Sequence, residues 1–513
     1  LDGSKVDTAL ICIQTNNQLE KMTTFLNALE NEFNQTTTAN GAKAYKSTES
    51  KCLDLFGKIA ACRDNISEAT RLFNLAYAVA PETATRILFW ARDIRGGQGE
   101  RKIFREVFKE LVRNDTAVGE KLVGLIPQYG RWDDLVALEG TSVWNVALEV
   151  IKEQLNADLN TEIGKSVSLL AKWLPSINAS SQESKRVGRL IAKEMGWTER
   201  QYRKALTALR SQVKIVEQPM CAREWESIDY GVLPSRAGFM YRKAFAKRDG
   251  NRYQSYLDSV EKGEAKINAG TIYPYEIVHK YLYGGEKSDQ TLNLMWEALP
   301  NYMEGEQLNG LVVADVSGSM GQNGGMPMAV SISLAMYIAE RNTGAWKDKF
   351  LTFSGSPKLQ SVTGRNIAER VNNLSRAKWD MNTDLQAVFN LVLATATRNH
   401  IPEGEMPRKL IIVSDMQFDS CCRNNSVTNF EAVRIKYAQA GYSLPELVFW
   451  NVNSSGNVPM KMHDTGTCLV SGCSPSILKA VLTGGVITPV GVMRDAVYTE
   501  RYDAVGAVFA EGL

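Results

Sequence analysis

Apolar residues recur at helical spacing through the first 300 residues. In Ser67–Ala80, Leu72, Leu75, Ala76 and Val79 form one stripe, and Pro81 closes the run because it can neither donate nor continue a helical turn. From Thr83 to Ile94 the stripe returns with Ile87, Leu88, Trp90 and Ala91. Further helices are predicted over Val107–Leu111, Val146–Leu155, Ser166–Trp173 and Glu199–Arg210, whereas alternating runs rich in β-branched residues are absent. Many short amphipathic helices, none apolar all round, predict helix pairs stacked as a HEAT-like all-α solenoid, without a clean repeat period.

Near residue 305 the pattern changes. Leu311–Ala314 is a short apolar run, followed by a Gly/Ser loop and a helix from Met326 to Glu340. Lys349–Phe353, Lys409–Ser414, Leu447–Val452 and Thr467–Ser471 predict strands, with helices over Thr383–Ala396 and Thr428–Ala440. Strands alternating with helices predict a doubly wound, Rossmann-like, mostly parallel α/β sheet. The chain therefore divides into an N-terminal helical extension over 1–64, a helical-repeat part over 65–300 and an α/β part over 305–513.

Length and composition change this picture little. The 513 residues have room for two to four domains, and 44% apolar with 23% charged residues is ordinary for globular proteins. Eight cysteines, none in a CxxC pair with a neighbouring histidine, are too sparse for a disulfide framework or a zinc site and predict reduced thiols in a cytoplasmic protein (host cytoplasm or virion, for a viral source). The longest charge-free stretch, Val316 to Ala339, is interrupted by glycines and a proline, and its apolar part of about 14 residues falls short of the roughly 20 a membrane span needs.

Candidate chemistry concentrates at the predicted strand ends, where open α/β sheets bind ligands. The first strand runs into Asp315-Val316-Ser317-Gly318-Ser319, one carboxylate and two hydroxyls on alternate positions of a tight loop. Thr383 precedes a predicted helix and Asp415 follows the strand Ile411–Ser414. Converging on one edge, these five residues suit a hard divalent cation, Mg²⁺ foremost, with Mn²⁺ or Ca²⁺ as alternatives. Three neutral hydroxyls leave the ion electrophilic, open to an acidic group from a partner. Each of Ser317, Ser319 and Thr383 taken alone also fits a helix cap.

A second feature is cationic. Between Lys185 and Arg252 lie 16 lysines and arginines against 7 acidic residues, on a chain of net charge +2, interleaved with Tyr202, Trp225, Tyr230, Tyr241 and Tyr253. Cations that hold phosphates and rings that stack on bases suit RNA; a solvated helical face over core aromatics is the competing reading. Upstream, Arg92 to Arg101 (RDIRGGQGER) either cradles a phosphate with its freed amides or joins two helices through positive φ. It lacks the GK[ST] ending of a nucleotide-binding P-loop. In Tyr129-Gly130-Arg131-Trp132-Asp133-Asp134-Leu135, Arg131 and Trp132 fit either packing or contact.

The set Asp315, Ser317, Ser319, Thr383 and Asp415 resembles the metal-ion-dependent adhesion site of von Willebrand A domains. With the helical half, and with Ala171–Ser176, Tyr202–Arg210, Pro234–Ala237, and Lys266–Gly270 through Pro274 to Val278, the chain resembles the Ro autoantigen family, a TROVE module followed by a von Willebrand A domain. The RGGQGER and YGRWDDL segments, Phe449–Asn451 and Ser471–Ser474 bring it closest to an uncharacterised plant, bacterial and viral branch. The resemblance implies a helical ring clasped by the A domain, with small structured RNA outside and single-stranded ends in the hole. It offers Lys185, Arg186, Arg203, Lys204, Arg242, Lys243 and Lys247 as an RNA-binding patch. The resulting expectation is a non-enzymatic RNA-binding protein whose metal site takes an acidic protein partner. The alternative is an interaction or structural component of a viral particle or large assembly. A metal-dependent hydrolase is the third reading, disfavoured because the three histidines, His279, His400 and His463, offer no evident general base.

Overall fold

A computed structural model describes residues 29, 32–162, 165–213, 215–306, 308–353, 356–375, 384–419, 429–453, 456–482 and 486–510. Among the described residues up to 300 the chain is helical, except for a short hairpin within residues 35–45. The α/β part is built on a six-stranded sheet, and among the described residues no helix is long and apolar enough to cross a membrane.

The helices follow the apolar spacing and its punctuation. Asn65 caps Ile66–Val79 by accepting from the Glu68 N–H, and Ala80 is extended, as the residue before a proline must be. Pro81 both ends that helix and occupies the first turn of the next, Pro81–Arg92. The buried face of Ile66–Val79 is Ala69, Leu72, Phe73 and Ala76, while Leu75 and Val79 of the expected stripe are exposed. The helix expected over Ser166–Trp173 is a single turn, Leu170–Trp173, because the Asp158 carboxylate ties down the preceding loop by accepting from both the N–H and the hydroxyl of Ser168.

Two strands lie in the stretch expected to have none: β1 (Gln35–Thr37) and β2 (Lys43–Tyr45), an antiparallel hairpin. Each is three residues long, too short to show alternation. The sheet comprises β3 (Gly310–Ala314), β4 (Lys349–Thr352), β5 (Leu359–Ser361), β6 (Lys409–Ser414), β7 (Glu446–Asn451) and β8 (Thr467–Ser471). Its order is β5-β4-β3-β6-β7-β8, parallel except for β5. Counted within the sheet this is 3-2-1-4-5-6, the order in which a doubly wound chain reverses direction between its first and fourth strands. β3, β6 and β8 are buried at every position and β7 at all but its first, which accounts for their continuous apolar runs.

The helical and α/β parts share one hydrophobic core; one buried acid, Asp93, strengthens the join, and a second, Asp134, ties helices together within the helical part. Asp93, at the end of Pro81–Arg92, binds Arg501 and accepts from the Tyr502 hydroxyl, so the chain's last helices fold back onto its first ones. Asp134 accepts from Arg92 and Arg105 and from the Arg131 N–H. Removing one partner of such a buried pair strands the other charge in low dielectric. Asp134→Ala is therefore expected to lower the unfolding free energy by about 3–5 kcal/mol, read from the urea midpoint. Lys152→Ala, which removes an exposed ion pair, leaves that midpoint in place.

Candidate metal centre and cationic surface

Parallel pairing of β3 with β6 sets Ala314 opposite Val413, and the Asp315 N–H donates to the Val413 carbonyl. Asp315 thus arrives beside Ser414 and Asp415 at the point where the sheet order reverses. One Asp315 oxygen accepts from the Ser317 N–H at 2.9 Å and the other from the Ser414 hydroxyl at 2.6 Å. The Ser317 and Ser319 hydroxyls lie 3.0 Å apart, and Ser319 also bonds to the Asp415 carboxylate. The two serines do not cap a helix: neither the turn after Ser317 nor the following helix has a side-chain cap. The structure therefore brings Asp315, Ser317, Ser319 and Asp415 together. Thr383 lies outside the described residues; the helix after it, Leu385–Asn399, is capped by Asp384 through the Ala387 N–H.

The electrostatics of this cluster are unfavourable as it stands. Asp315 is fully buried and Asp415 is 3% exposed, and among the described residues neither has a cationic partner. Burial, and then the neighbouring Asp415, push the Asp315 carboxyl up to about 6, against the opposing hydrogen bonds from Ser414 and Ser317. Burial also raises Asp415, while Ser319 and the Gln417 N–H pull it back. Two buried carboxylates with two hydroxyls form an all-oxygen donor set that fits a hard cation. No group of three or more His, Cys, Asp and Glu side chains able to hold a metal occurs among the described residues, so an ion here would need hydroxyl oxygens besides the two aspartates.

Elements outside the sheet hold both loops. Asn323, Gly324 and Gly325 all have positive φ, and the ring of Tyr283 packs on Gly325 so closely that a Cβ there would sit 2.2 Å from it. His279, from the helix Pro274–Leu282, lies 3.1 Å from the Gly324 carbonyl oxygen. On the other flank the hairpin turn grips Gln417 and Phe418. Ser414 was missed as a partner of Asp315 because it reads as the last residue of an apolar strand. Placing the first and fourth strands side by side would have found it.

The cationic segment divides. Arg242 is buried between Asp289 and Glu286, donates to the Phe239 carbonyl, and is no part of a surface patch. Arg186 is exposed but bound to Glu139 and Glu183, and Lys243 pairs with Glu286. Lys185 is half-buried, while Lys193, Arg200, Arg203, Lys204 and Lys247 face solvent. Tyr202, Tyr230 and Tyr253 are core residues, the latter two packed around Phe245, so they offer no platform for bases.

The two upstream motifs are joints. The N–H groups of Gly97, Gln98, Gly99 and Glu100 are all bonded to carbonyls of Trp90, Ala91 and Asp93, which leaves none to cradle a phosphate. Gly99 has φ +70, and a Cβ there would lie 2.1 Å from the Tyr273 hydroxyl. Arg131 stacks on Trp173 at 3.8 Å and pairs with Asp133.

Two family models match the chain, a domain of unknown function (DUF7788) over 309–503 and a domain of unknown function (DUF2828) over 38–116 and 192–304. An uncharacterized protein of Acanthamoeba polyphaga mimivirus is 32% identical over 500 residues, which span 89% of this chain and 86% of the viral protein. Neither a TROVE nor a von Willebrand A model matches, and this corrects the expected membership of the Ro family. RGGQGER and YGRWDDL, the segments that pointed to an uncharacterised branch, are packing joints.

Folded protein holds the Asp315 proton up to about pH 6, whereas an unfolded chain releases it near pH ~4. Raised carboxyl pKa means that metal-free stability falls as pH rises through this window. In chelator-treated protein, Asp315→Asn is expected to raise the thermal midpoint at about pH 7.5, with the gain over wild type shrinking as pH drops from about 6 to about 4. Melting curves across that range check the sign.

Proposed function

The chain belongs to one family with this mimivirus protein, and from that premise we propose that it is a non-enzymatic, cation-dependent binding protein. A divalent ion, Mg²⁺ foremost, is held by Asp315, Ser317, Ser319 and Asp415 and takes an acidic group of a protein partner. The observation that carries this reading is the desolvated Asp315–Asp415 pair, without a basic neighbour among the described residues, at the sheet's switch point. Two carboxylates and two neutral hydroxyls supply four oxygens where a hard divalent ion takes six or more, so coordination positions stay open to an oxygen of a partner's acidic group. The same proposal gives the α/β part a von Willebrand A-like arrangement, supported by the strand order and the single antiparallel outer strand, and gives the helices a HEAT-like stacking. A cytoplasmic setting suits the five described cysteines, none of which is in a disulfide.

Binding to the folded state alone stabilises it by mass action. Mn²⁺ at a hundredfold excess over its dissociation constant is expected to stabilise the wild type by about 2.7 kcal/mol, measured by thermal shift against a chelated control. Asp315→Ala and Asp415→Ala lose the shift. No shift in the wild type at millimolar Mn²⁺, Mg²⁺ or Ca²⁺ removes the proposal.

A second reading, RNA binding, is favoured by one observation: Arg200, Arg203 and Lys204 are exposed together near the start of the helix Glu199–Gln212 and make no ion pair among the described residues. Phosphate contacts there are sequence-independent and weaken with salt. Reversing all three charges to Glu is expected to reduce the slope of log affinity for single-stranded RNA against log salt by about two. An unchanged slope excludes this face.

A further inference from the structure

We infer that the Gln35–Tyr45 hairpin is an outer part of the cation site: Thr38, Ala39 and Asn40 position the Asp415 loop, and their engagement sets the affinity for the ion. The inference rests on the cation reading above.

A two-stranded ribbon with three residues per strand does not hold itself together in water. This one is fixed by what it docks on. At its free end the Tyr45 and Val458 backbones exchange both hydrogen bonds, 2.9 and 2.8 Å. At its turn the Thr38 hydroxyl donates to the Phe418 carbonyl at 2.6 Å, and the Asn40 amide donates to the Gln417 carbonyl at 2.7 Å. The Ala39 N–H donates to the Gln417 side chain at 2.7 Å, and Gly41 bridges to Asp419. Thr38 is 5% exposed, and its hydroxyl also accepts from the Ala42 N–H, so one oxygen shapes the turn and holds the loop.

Gln417 is the link to the cation site. Its N–H donates to an Asp415 carboxylate oxygen at 3.1 Å, while its carbonyl and side chain are held by hairpin residues 377 and 378 positions earlier in the chain. Between them Met416 is left-handed, φ +64, a conformation that a residue with a side chain keeps only where its surroundings impose it. The Met416 N–H bonds to the Ser414 hydroxyl, which itself donates to Asp315. Hydrogen bonds thus run from the hairpin through Gln417 to Asp415, and from Asp415 through Ser319 and Ser317 to Asp315, while the Met416–Ser414–Asp315 bonds brace the same loop from its other side. Loosening the turn frees Gln417 and with it the orientation of the Asp415 carboxylate.

The test uses the full chain and Mn²⁺ alone. Affinity is measured by titration calorimetry, the ion's surroundings by the electron paramagnetic resonance spectrum of bound Mn²⁺, and metal-free folding by melting and by hydrogen exchange at the Gln417 amide. Thr38→Val with Asn40→Ala is expected to weaken Mn²⁺ at least tenfold, change the spectrum and speed that exchange. Thr38→Ser, which keeps the hydroxyl, restores all three. Gln417→Ala, which removes the Ala39 contact but keeps those of Thr38 and Asn40 to the loop carbonyls, weakens Mn²⁺ severalfold and guards against a hairpin variant that misfolds. Wild-type affinity and spectrum in folded Thr38→Val/Asn40→Ala and in Gln417→Ala overturn the inference. A wild type that takes up no Mn²⁺ overturns the cation reading instead, and the exchange rate then still reports whether the hairpin holds the loop.

Discussion

The parallel pairing of β3 with β6 forces Asp315 and Asp415 into one desolvated corner. No local sequence preference requires this. It follows from a chain that starts its sheet in the middle, lays two strands to one side and crosses back to lay three on the other. The reversal opens a crevice at the strands' carboxyl ends, and the residues that follow the two central strands must line it. Two like charges there cost folding free energy unless a proton or a cation neutralises them. The cluster is thus a liability as a structural element and an asset as a binding site.

The remainder of that edge is closed. Beyond β6, the Asn451 amide and the Ser471 hydroxyl donate to the carbonyls of Gly57 and Phe56, and Trp450 donates to the Gly472 carbonyl. Gly57 packs against Leu469 with no room for a Cβ. The helix Lys51–Phe56 and its continuation therefore plug the outer half of the crevice with helical-part residues, leaving the switch point as the part built from unneutralised charge. Buried arginines do similar work at a distance. Arg92, Asp93 and Asp134 sit where helices meet, and the C-terminal segment returns to Asp93 through Arg501 and Tyr502.

How much of this was legible in the sequence depended on whether the signal was local. β3, β6 and β7 were readable because strands buried on both faces become apolar runs, and Asp315, Ser317, Ser319 and Asp415 because they stand directly after two of those runs. β5 and the hairpin were not, since three residues carry no period. The cationic segment misled for a related reason. Composition counts charges without saying which are paired: Arg242 finds Glu286 and Asp289 more than forty residues away, and Arg186 finds Glu139 as far upstream. The aromatic rings between them read equally as base platforms or as core, and tertiary packing decided for the core. Ser414 stayed hidden because its role exists only once two distant strands are neighbours.

A site assembled from three sources has a further physical consequence. Asp315 and Ser317 come from one strand end, Asp415 and Ser414 from another, and the loops that carry them are braced by a hairpin near the chain's start and by His279 and Tyr283 of the helical part. Both Asp315 oxygens are already held by hydrogen bonds, so under the proposed function a cation would meet a pre-oriented carboxylate and little ordering entropy would be lost on binding. The same bracing ties the corner's geometry to distant elements. On the proposed cation reading, a partner that shifted the hairpin or the Pro274–Leu282 helix would alter the donor set, and the ion, by reciprocity of linked equilibria, would alter the stability of those contacts to the same extent.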